Sequence, residues 1–161
     1  MLKRSVVLCG AWIGFAAVAL PQQGSGVPGP AVIAARQASL DMSSITLRAM
    51  GDAMKAGREA KSQAYAAVVL SKWAKALPQM FPAGTGKGDT SAETQALDAI
   101  WKDRAGFDQA AANYAAVTTR LAALAAANDT GGFTKQLEEV DQACRSCHAI
   151  YKAGPQGAPK K

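Results

Sequence analysis

The chain has 161 residues, of which 49% are hydrophobic, and a formal net charge of +6 at pH 7. This length suffices for one domain with its own core, and the 18 basic residues are scattered, which disfavours a nucleic-acid-binding function. With three cysteines and one histidine the composition also disfavours a structural zinc site, which normally takes four Cys, His or carboxylate ligands.

Residues 1–19 have the features of a secretory signal peptide. Two basic residues precede an apolar run over 6–20, and the small residues at 17–19 offer a cleavage site. A membrane anchor is the alternative, but the apolar run is shorter than the roughly 20 residues of a membrane span. We therefore expect a periplasmic protein without stable membrane association. Cleavage would remove Cys9, so that two cysteines remain and no disulfide supports the fold.

Residues 20–30 are rich in Pro, Gly, Gln and Ser and are predicted to form a flexible lead-in. Residues 31–155 are predicted to form the domain, followed by a C-terminal tail over 156–161. A first amphipathic helix is predicted from Ala31 to about Gly57, because apolar residues recur there at helical spacing. These residues are Ile33, Leu40, Leu47, Met50 and Met54.

A second helix is predicted over residues 59–77, and Pro78 is expected to end it. The stretch over 82–89 is rich in Gly and Pro, which predicts a long connection rather than a helix or strand. The side chains expected to form the buried stripe of the second helix are Tyr65, Val69, Trp73, Ala76 and Leu77.

The third and fourth helices follow the same helical spacing. The third is rich in alanine, which favours helix formation, and residues 128–132 are expected to separate it from the fourth. The apolar residues of the third are Ile100, Phe107, Ala111, Tyr114, Val117, Leu121 and Leu124; the inner face of the fourth is predicted to hold Phe133, Leu137, Val140, Cys144, Cys147, His148 and Tyr151. Four such helices without strands predict an all-α, antiparallel four-helix bundle, in which cofactors bind between facing helices.

One short motif lies within the fourth helix, Cys144-Arg145-Ser146-Cys147-His148. Two thiols at this spacing can each add to a vinyl group of one haem, and the adjacent histidine can bind the iron, so the motif indicates c-type haem attachment. A thioredoxin-like dithiol is an alternative, but it requires a βαβ unit, and no strand pattern is found. We therefore predict one covalent haem c, with Cys144 and Cys147 as attachment sites and His148 as iron ligand.

The order of these features resembles the class II c-type cytochromes, which include cytochrome c' and its low-spin relatives. The resemblance covers nearly all of residues 31–155, and the position of the motif near the C-terminus is typical of that family. It rests on Arg36-Gln37, Leu77-Pro78 with Phe81, Ile100-Trp101 with Phe107, and Cys144 to His148 followed by Tyr151.

The resemblance implies roles for further residues. Leu40 would face the distal side of the haem, where a leucine is typical of five-coordinate members and a methionine of six-coordinate electron carriers. Arg36 would lie near a propionate, Phe81 would line the distal pocket, and Tyr151 would belong to the cofactor-binding set. Where cytochromes c' usually have arginine, this chain has Lys152, which lacks the planar fork of a guanidinium.

Met42 is a rival iron ligand, because a thioether sulfur binds haem iron. A step of two residues, however, turns about 200° around a helix, so Met42 should point away from the Leu40 side.

Two functions are compatible with these residues. One is one-electron transfer to redox partner proteins, by an iron with an open site or by a six-coordinate, low-spin iron with methionine ligation. The other is binding or scavenging of NO or CO. Enzymatic activity is not expected, because no second titratable group is placed over the iron. The resemblance also implies a homodimer formed through the first two helices, and the alanine-rich faces around Ala53 and Ala60 would allow close packing there.

Overall fold

The computed structural model describes residues 26–154, and within this range four long helices form a bundle, as predicted. The signal peptide predicted at 1–19 and the tail predicted at 156–161 lie outside the described residues. None of the helices in the described range is both long and apolar enough to cross a lipid bilayer. The helices are α1 (Gly29–Lys55), α2 (Ala64–Ala76), α3 (Ala99–Lys102), α4 (Arg104–Ala126) and α5 (Thr130–Tyr151), with 3-10 turns at Ala60–Gln63 and Leu77–Met80.

The first helix begins within the segment that was expected to be a flexible lead-in. Pro28 is its N-cap residue, and a proline also occupies the first turn. Proline is tolerated there because the first N–H groups of a helix have no partner within it and the fixed φ angle suits the helix. The change from lead-in to helix therefore comes at Gly29 rather than at Ala31.

The third predicted helix is interrupted near its start. Asp103 has a non-helical backbone (φ −119°, ψ 61°) and separates the short α3 from α4. Its side chain accepts a hydrogen bond from Gly106 N at 3.1 Å and so caps α4. Asp129 caps α5 in the same way, accepting from Gly132 N at 2.9 Å.

The centre of the bundle is α4, which packs closely against both α2 and α5, whereas α1 makes fewer close contacts with its neighbours. The fully buried side chains of α4 and α5 include Phe107, Leu121, Phe133 and Val140. Thr118 is also buried, and its hydroxyl donates to Tyr114 O at 2.8 Å, which satisfies it inside the core.

The buried stripe predicted for α2 is wrong in most positions. Tyr65 and Val69 are exposed, by 84% and 45%, Ala76 is exposed and Trp73 is only half-buried. Leu77 is buried, as predicted, and the other buried residues are on a neighbouring stripe of the helix, namely Ala67, Leu70, Ser71 and Ala74. Two adjacent stripes fit the same spacing, and small side chains allow the close approach of α2 and α4 that large ones would prevent.

The connection between the second and third helices returns to the end of α5. Residues 95–97, called the strap below, pair with the segment that follows the haem motif. Leu97 N donates to Tyr151 O at 3.0 Å, and Ala153 N donates to Gln95 O at 2.8 Å. The strap therefore holds the backbone on the C-terminal side of His148.

Candidate functional site

Cys144 and Cys147 lie on neighbouring turns near the end of α5, and both thiols are free and half-buried. Burial, with smaller effects of Asp141 and of the neighbouring Cys147, raises the pKa of the Cys144 thiol to about 11. Burial also raises the pKa of Cys147. A catalytic dithiol has a lowered pKa that makes one sulfur a thiolate at neutral pH. The raised values argue against a thioredoxin-like function.

His148 was predicted to lie on the buried face of α5. It lies instead at the exposed edge of that face. At about 100° per residue, His148 is about 80° round the helix from the fully buried Val140, whereas Cys147 is within about 20°. Burial of part of the ring, together with the nearby charge of Lys152, lowers the pKa of His148. The imidazole is therefore neutral at physiological pH, the form that binds metals.

The inner face of α1 is deeply buried at both ends and open in the middle. Ile33 and Met50 are fully buried, whereas Leu40, Ser43 and Leu47 between them are half-buried. Met42 is 67% exposed, on the outer face of the helix, as its two-residue offset from Leu40 predicted. The middle of α1 therefore presents an apolar surface, with Leu40 on it, that the bundle does not fully cover.

Tyr114 of α4 connects this surface with the haem motif. Burial raises the pKa of Tyr114 strongly, the Cys144 thiol raises it further, and the Ser43 hydroxyl lowers it, so both groups act on the Tyr114 hydroxyl. The middle of α1 and the first cysteine of the motif therefore border the same part of the interior. Tyr114 was predicted only as a core residue and Ser43 was not singled out, since helical spacing shows which face is buried but not which helix it meets.

Arg36 is the largest fully buried side chain, with an exposure of 1%. It donates to Thr85 Oγ1 and Thr85 O at 2.8 and 2.7 Å, and to Thr94 Oγ1 at 2.8 Å, and its guanidinium lies 4.7 Å from the centre of the Phe81 ring. Burial lowers its pKa. Among residues 26–154 it forms no salt bridge with a carboxylate. A buried cation without a counter-ion is costly, so this arrangement suits an anionic group such as a haem propionate.

Trp73 provides a second unpaired donor. Its Nε1 atom is buried and has no hydrogen-bond partner in the described part of the chain. Buried donors are nearly always paired, so an acceptor from a bound group would satisfy it. The sequence identified Trp73 only as a core residue, because nothing in the spacing distinguishes a paired indole N–H from an unpaired one.

Phe81 and Tyr151 belong to one aromatic cluster around Phe107. The Phe81 and Tyr151 rings meet the Phe107 ring edge to face, with centroid distances of 5.0 and 5.4 Å. The hydroxyl of Tyr151 donates to Asp103 Oδ2 at 3.1 Å. Tyr151 therefore directs its polar end to the start of α4.

These residues fit a covalent haem. The two half-buried thiols match the vinyl groups, and the neutral imidazole matches the iron. The apolar surface on the facing helix matches the macrocycle, and the buried cation without a counter-ion matches the propionates. No cluster of three or more His, Cys, Asp or Glu side chains within residues 26–154 could hold a metal ion by itself.

Comparison with known proteins gives a consistent result. The family model described as Cytochrome C' matches residues 31–152. Cytochrome c' from Rubrivivax gelatinosus is 34% identical over 98 residues, which are 61% of this chain and 74% of that protein. Cytochrome c' from Rhodospirillum rubrum is 29% identical over 119 residues, which are 73% of this chain and 79% of that protein.

Solved structures are similar to the bundle as well. The crystal structure of the Rubrivivax gelatinosus protein has a TM-score of 0.69 at 26% identity and covers 77% of this chain and 96% of that one. A cytochrome c' described as having an unusual ligand-controlled dimer dissociation has a TM-score of 0.76 at 21% identity, covering 81% and 100%. A nitric oxide complex of a leucine-to-isoleucine variant of cytochrome c prime from Alcaligenes xylosoxidans has a TM-score of 0.70 at 22% identity, covering 80% and 98%. The last two show the similarity of the fold alone.

Proposed function

Because this chain belongs to the cytochrome c' family, we propose that it is a periplasmic one-electron carrier whose haem iron is bound by His148 and is open on the Leu40 side. The family binds covalent haem c through a Cys-x-x-Cys-His motif, which this chain carries. The observation that carries the proposal is that the half-buried Leu40 of α1 and both motif cysteines of α5 pack against one hydrophobic core.

The protein's own residues would have three tasks at the macrocycle and the iron. Cys144 and Cys147 hold the macrocycle by thioether bonds, and His148 supplies a neutral nitrogen ligand. Leu40 is aliphatic and cannot coordinate iron, so it keeps one side apolar and free of a protein ligand. When bound, the haem supplies an iron that changes between the ferric and ferrous states by one electron.

Arg36 and Trp73 would stabilise the charged edge of the cofactor. The Arg36 cation is buried without a carboxylate in the described range, and the Trp73 N–H lacks an acceptor there. Propionate oxygens accept hydrogen bonds from both kinds of donor, and hydrogen bonds to a charged group are the stronger ones. Thr85 and Thr94 fix the orientation of the guanidinium through their hydrogen bonds with it.

Binding of NO or CO is the second candidate function. An iron without a sixth protein ligand can take a small gas, and a protein with the same fold has been solved as a nitric oxide complex. Met42 on the outer face does not support the low-spin alternative with methionine ligation. The raised thiol pKa values likewise do not support a catalytic dithiol.

A potentiometric titration of the exported protein, followed by visible absorption, tests electron carriage. We expect one reversible transition with the slope of a one-electron couple, because the proposal includes one haem. Equal spectra in the oxidising and reducing directions at each potential are the control for reversibility. A protein that cannot be cycled between the two states would contradict the electron-carrier function and leave gas binding.

We also propose a homodimer, through an apolar surface on α1 and α2. Among the described residues, large exposed apolar side chains on these helices are Met42, Ile45, Tyr65, Val68 and Val69. Ala53 and Ala60, around which the contact was expected, are unsuited to it, because Ala53 is half-buried and Ala60 fully buried within the chain. A second copy is the occupant that the comparison favours, since one relative of the same fold is described by its dimer dissociation.

Val69→Glu tests this dimer. We expect association to weaken by about 30-fold or more, because the contact would bury an unpaired charge against apolar side chains. Sedimentation equilibrium at micromolar concentrations measures the change. Ala123→Glu, an equal charge at an exposed position of α4, is the matched control and should leave association unchanged. A wild-type protein that is monomeric throughout this range would refute the dimer.

A further inference from the structure

The end of α5 is fixed by the side chain of Tyr151, one helical turn after His148. The Tyr151 ring is buried, with an exposure of 5%, and meets Phe107 edge to face at 84° between the ring planes. Its hydroxyl donates to Asp103 Oδ2 at 3.1 Å. The other oxygen of the same carboxylate, Oδ1, accepts from Gly106 N and caps α4. One carboxylate therefore joins the start of α4 to the end of α5.

The backbone of Tyr151 is held as firmly as its side chain. Its carbonyl accepts from Leu97 N of the strap at 3.0 Å, and Ala153 N donates to Gln95 O at 2.8 Å. The strap follows Thr94, which accepts a hydrogen bond from the buried Arg36. The last turn of α5 is thus tied both to α4 and to the connection that Arg36 fixes.

Gly106 is part of this arrangement because no larger residue fits there. A Cβ atom at this position would lie 2.7 Å from the Tyr151 hydroxyl oxygen and would overlap the Asp103 carboxylate. Any side chain at position 106 would therefore push Tyr151 and Asp103 apart. The contact between the helices depends on glycine at that place.

His148 has no comparable support of its own. Its side chain is exposed, and no hydrogen bond to its ring is found in the described part of the chain. In most metal sites the second ring nitrogen of a ligand histidine donates to a carboxylate or carbonyl, which orients the ring. The orientation of His148 must therefore come mainly from the backbone of the turn that carries it.

We propose that Tyr151, through its bond to Asp103, is the positioning residue for His148 and sets the strength of the bond between His148 and the haem iron. The inference rests on the proposed function, in which His148 binds the iron. Loss of the hydroxyl would free the last turn of α5 on the side facing α4, and the imidazole would hold the iron less firmly. The phenol itself does not touch the iron in this assignment.

Tyr151→Phe tests the proposal in the haem-loaded protein, because it removes the hydroxyl and keeps the ring packed on Phe107. Resonance Raman spectroscopy of the ferrous protein measures the iron–histidine stretching band, which should move to lower frequency. The fraction of the ferrous NO adduct that has lost the histidine bond, measured by electron paramagnetic resonance, should rise about fivefold, as expected for one lost hydrogen bond. Thr134→Val removes a hydroxyl from an exposed residue of α5, more than three turns before His148, and is the matched control.

Gly106→Ala is a second route to the same result, since it separates Tyr151 from Asp103 without changing either residue. Both variants should shift the stretching band in the same direction, and Thr134→Val should not. An unshifted band in both variants, with or without a lower melting temperature, would overturn the inference, because Tyr151 would then only stabilise the fold. A wild-type ferrous protein that lacks the band would instead refute His148 as ligand, and with it the proposed function.

Discussion

Acidified acetone is expected to extract haem from the double variant Cys144→Ala, Cys147→Ala and to leave it attached to the wild-type chain. The two sulfurs are the only cysteine sulfurs outside the predicted signal peptide, so no other residue could form a thioether bond. Each single variant should retain its haem through one bond. The amount of haem in the acetone phase, measured by absorption, gives the result.

Ser146→Ala is the matched control for the double variant, since it changes an exposed residue between the two cysteines and should behave as wild type. Denatured wild-type protein should keep its haem, because denaturation breaks iron coordination but not carbon–sulfur bonds. Haem that leaves the wild-type protein in acidified acetone would show that the attachment is not covalent and would contradict the assignment of both cysteines.

Leu40→Ala is expected to speed CO binding to the ferrous protein by about tenfold, equivalent to ~1.4 kcal/mol of activation free energy. The change removes three heavy atoms from the half-buried surface of α1 that we assign to the distal side of the haem. Leu47→Ala removes the same atoms about 10 Å further along the helix and should leave the rate near that of wild type. Stopped-flow absorption after mixing with CO measures both rates.

Leu40→Met tests the same geometry from the opposite direction. A thioether at this position can bind iron, so the ferrous spectrum should move toward the low-spin form, and CO should bind more slowly. If Leu40→Ala and Leu47→Ala change the CO rate equally, or neither changes it, Leu40 does not lie over the iron.

The fold could be predicted because apolar residues recur at helical spacing within each helix. The alanine richness of the third helix and the break around Asn128 are local features that can be read from the sequence. In the structure Asn128 has a φ of 54°, just after the end of α4. The buried stripe of α2 could not be chosen in this way. Tyr65 and Ala67 lie on stripes of the same spacing, and only the close approach of α4 decides which is buried.

The site was predicted as far as the motif and the family resemblance extend. The partners of Arg36, Thr85 and Thr94, lie 49 and 58 residues away, and Asp103 lies 48 residues from Tyr151. The first two pairs depend on how the connection between the second and third helices folds back, and the last depends on how α4 packs against α5; no periodicity encodes either. His148 is exposed because it lies at the edge of the buried stripe of α5. Spacing in steps of three and four residues does not distinguish the edge of such a stripe from its centre.

The visible spectrum of the reduced protein, recorded with and without CO, tests the open haem site most directly. We expect the spectrum of a five-coordinate, high-spin ferrous haem, which CO converts to a six-coordinate form, because His148 is the only histidine and Leu40 cannot coordinate. A low-spin ferrous spectrum that CO leaves unchanged, with a sulfur-to-iron charge-transfer band in the oxidised protein, would contradict this account and show that a methionine occupies the sixth position.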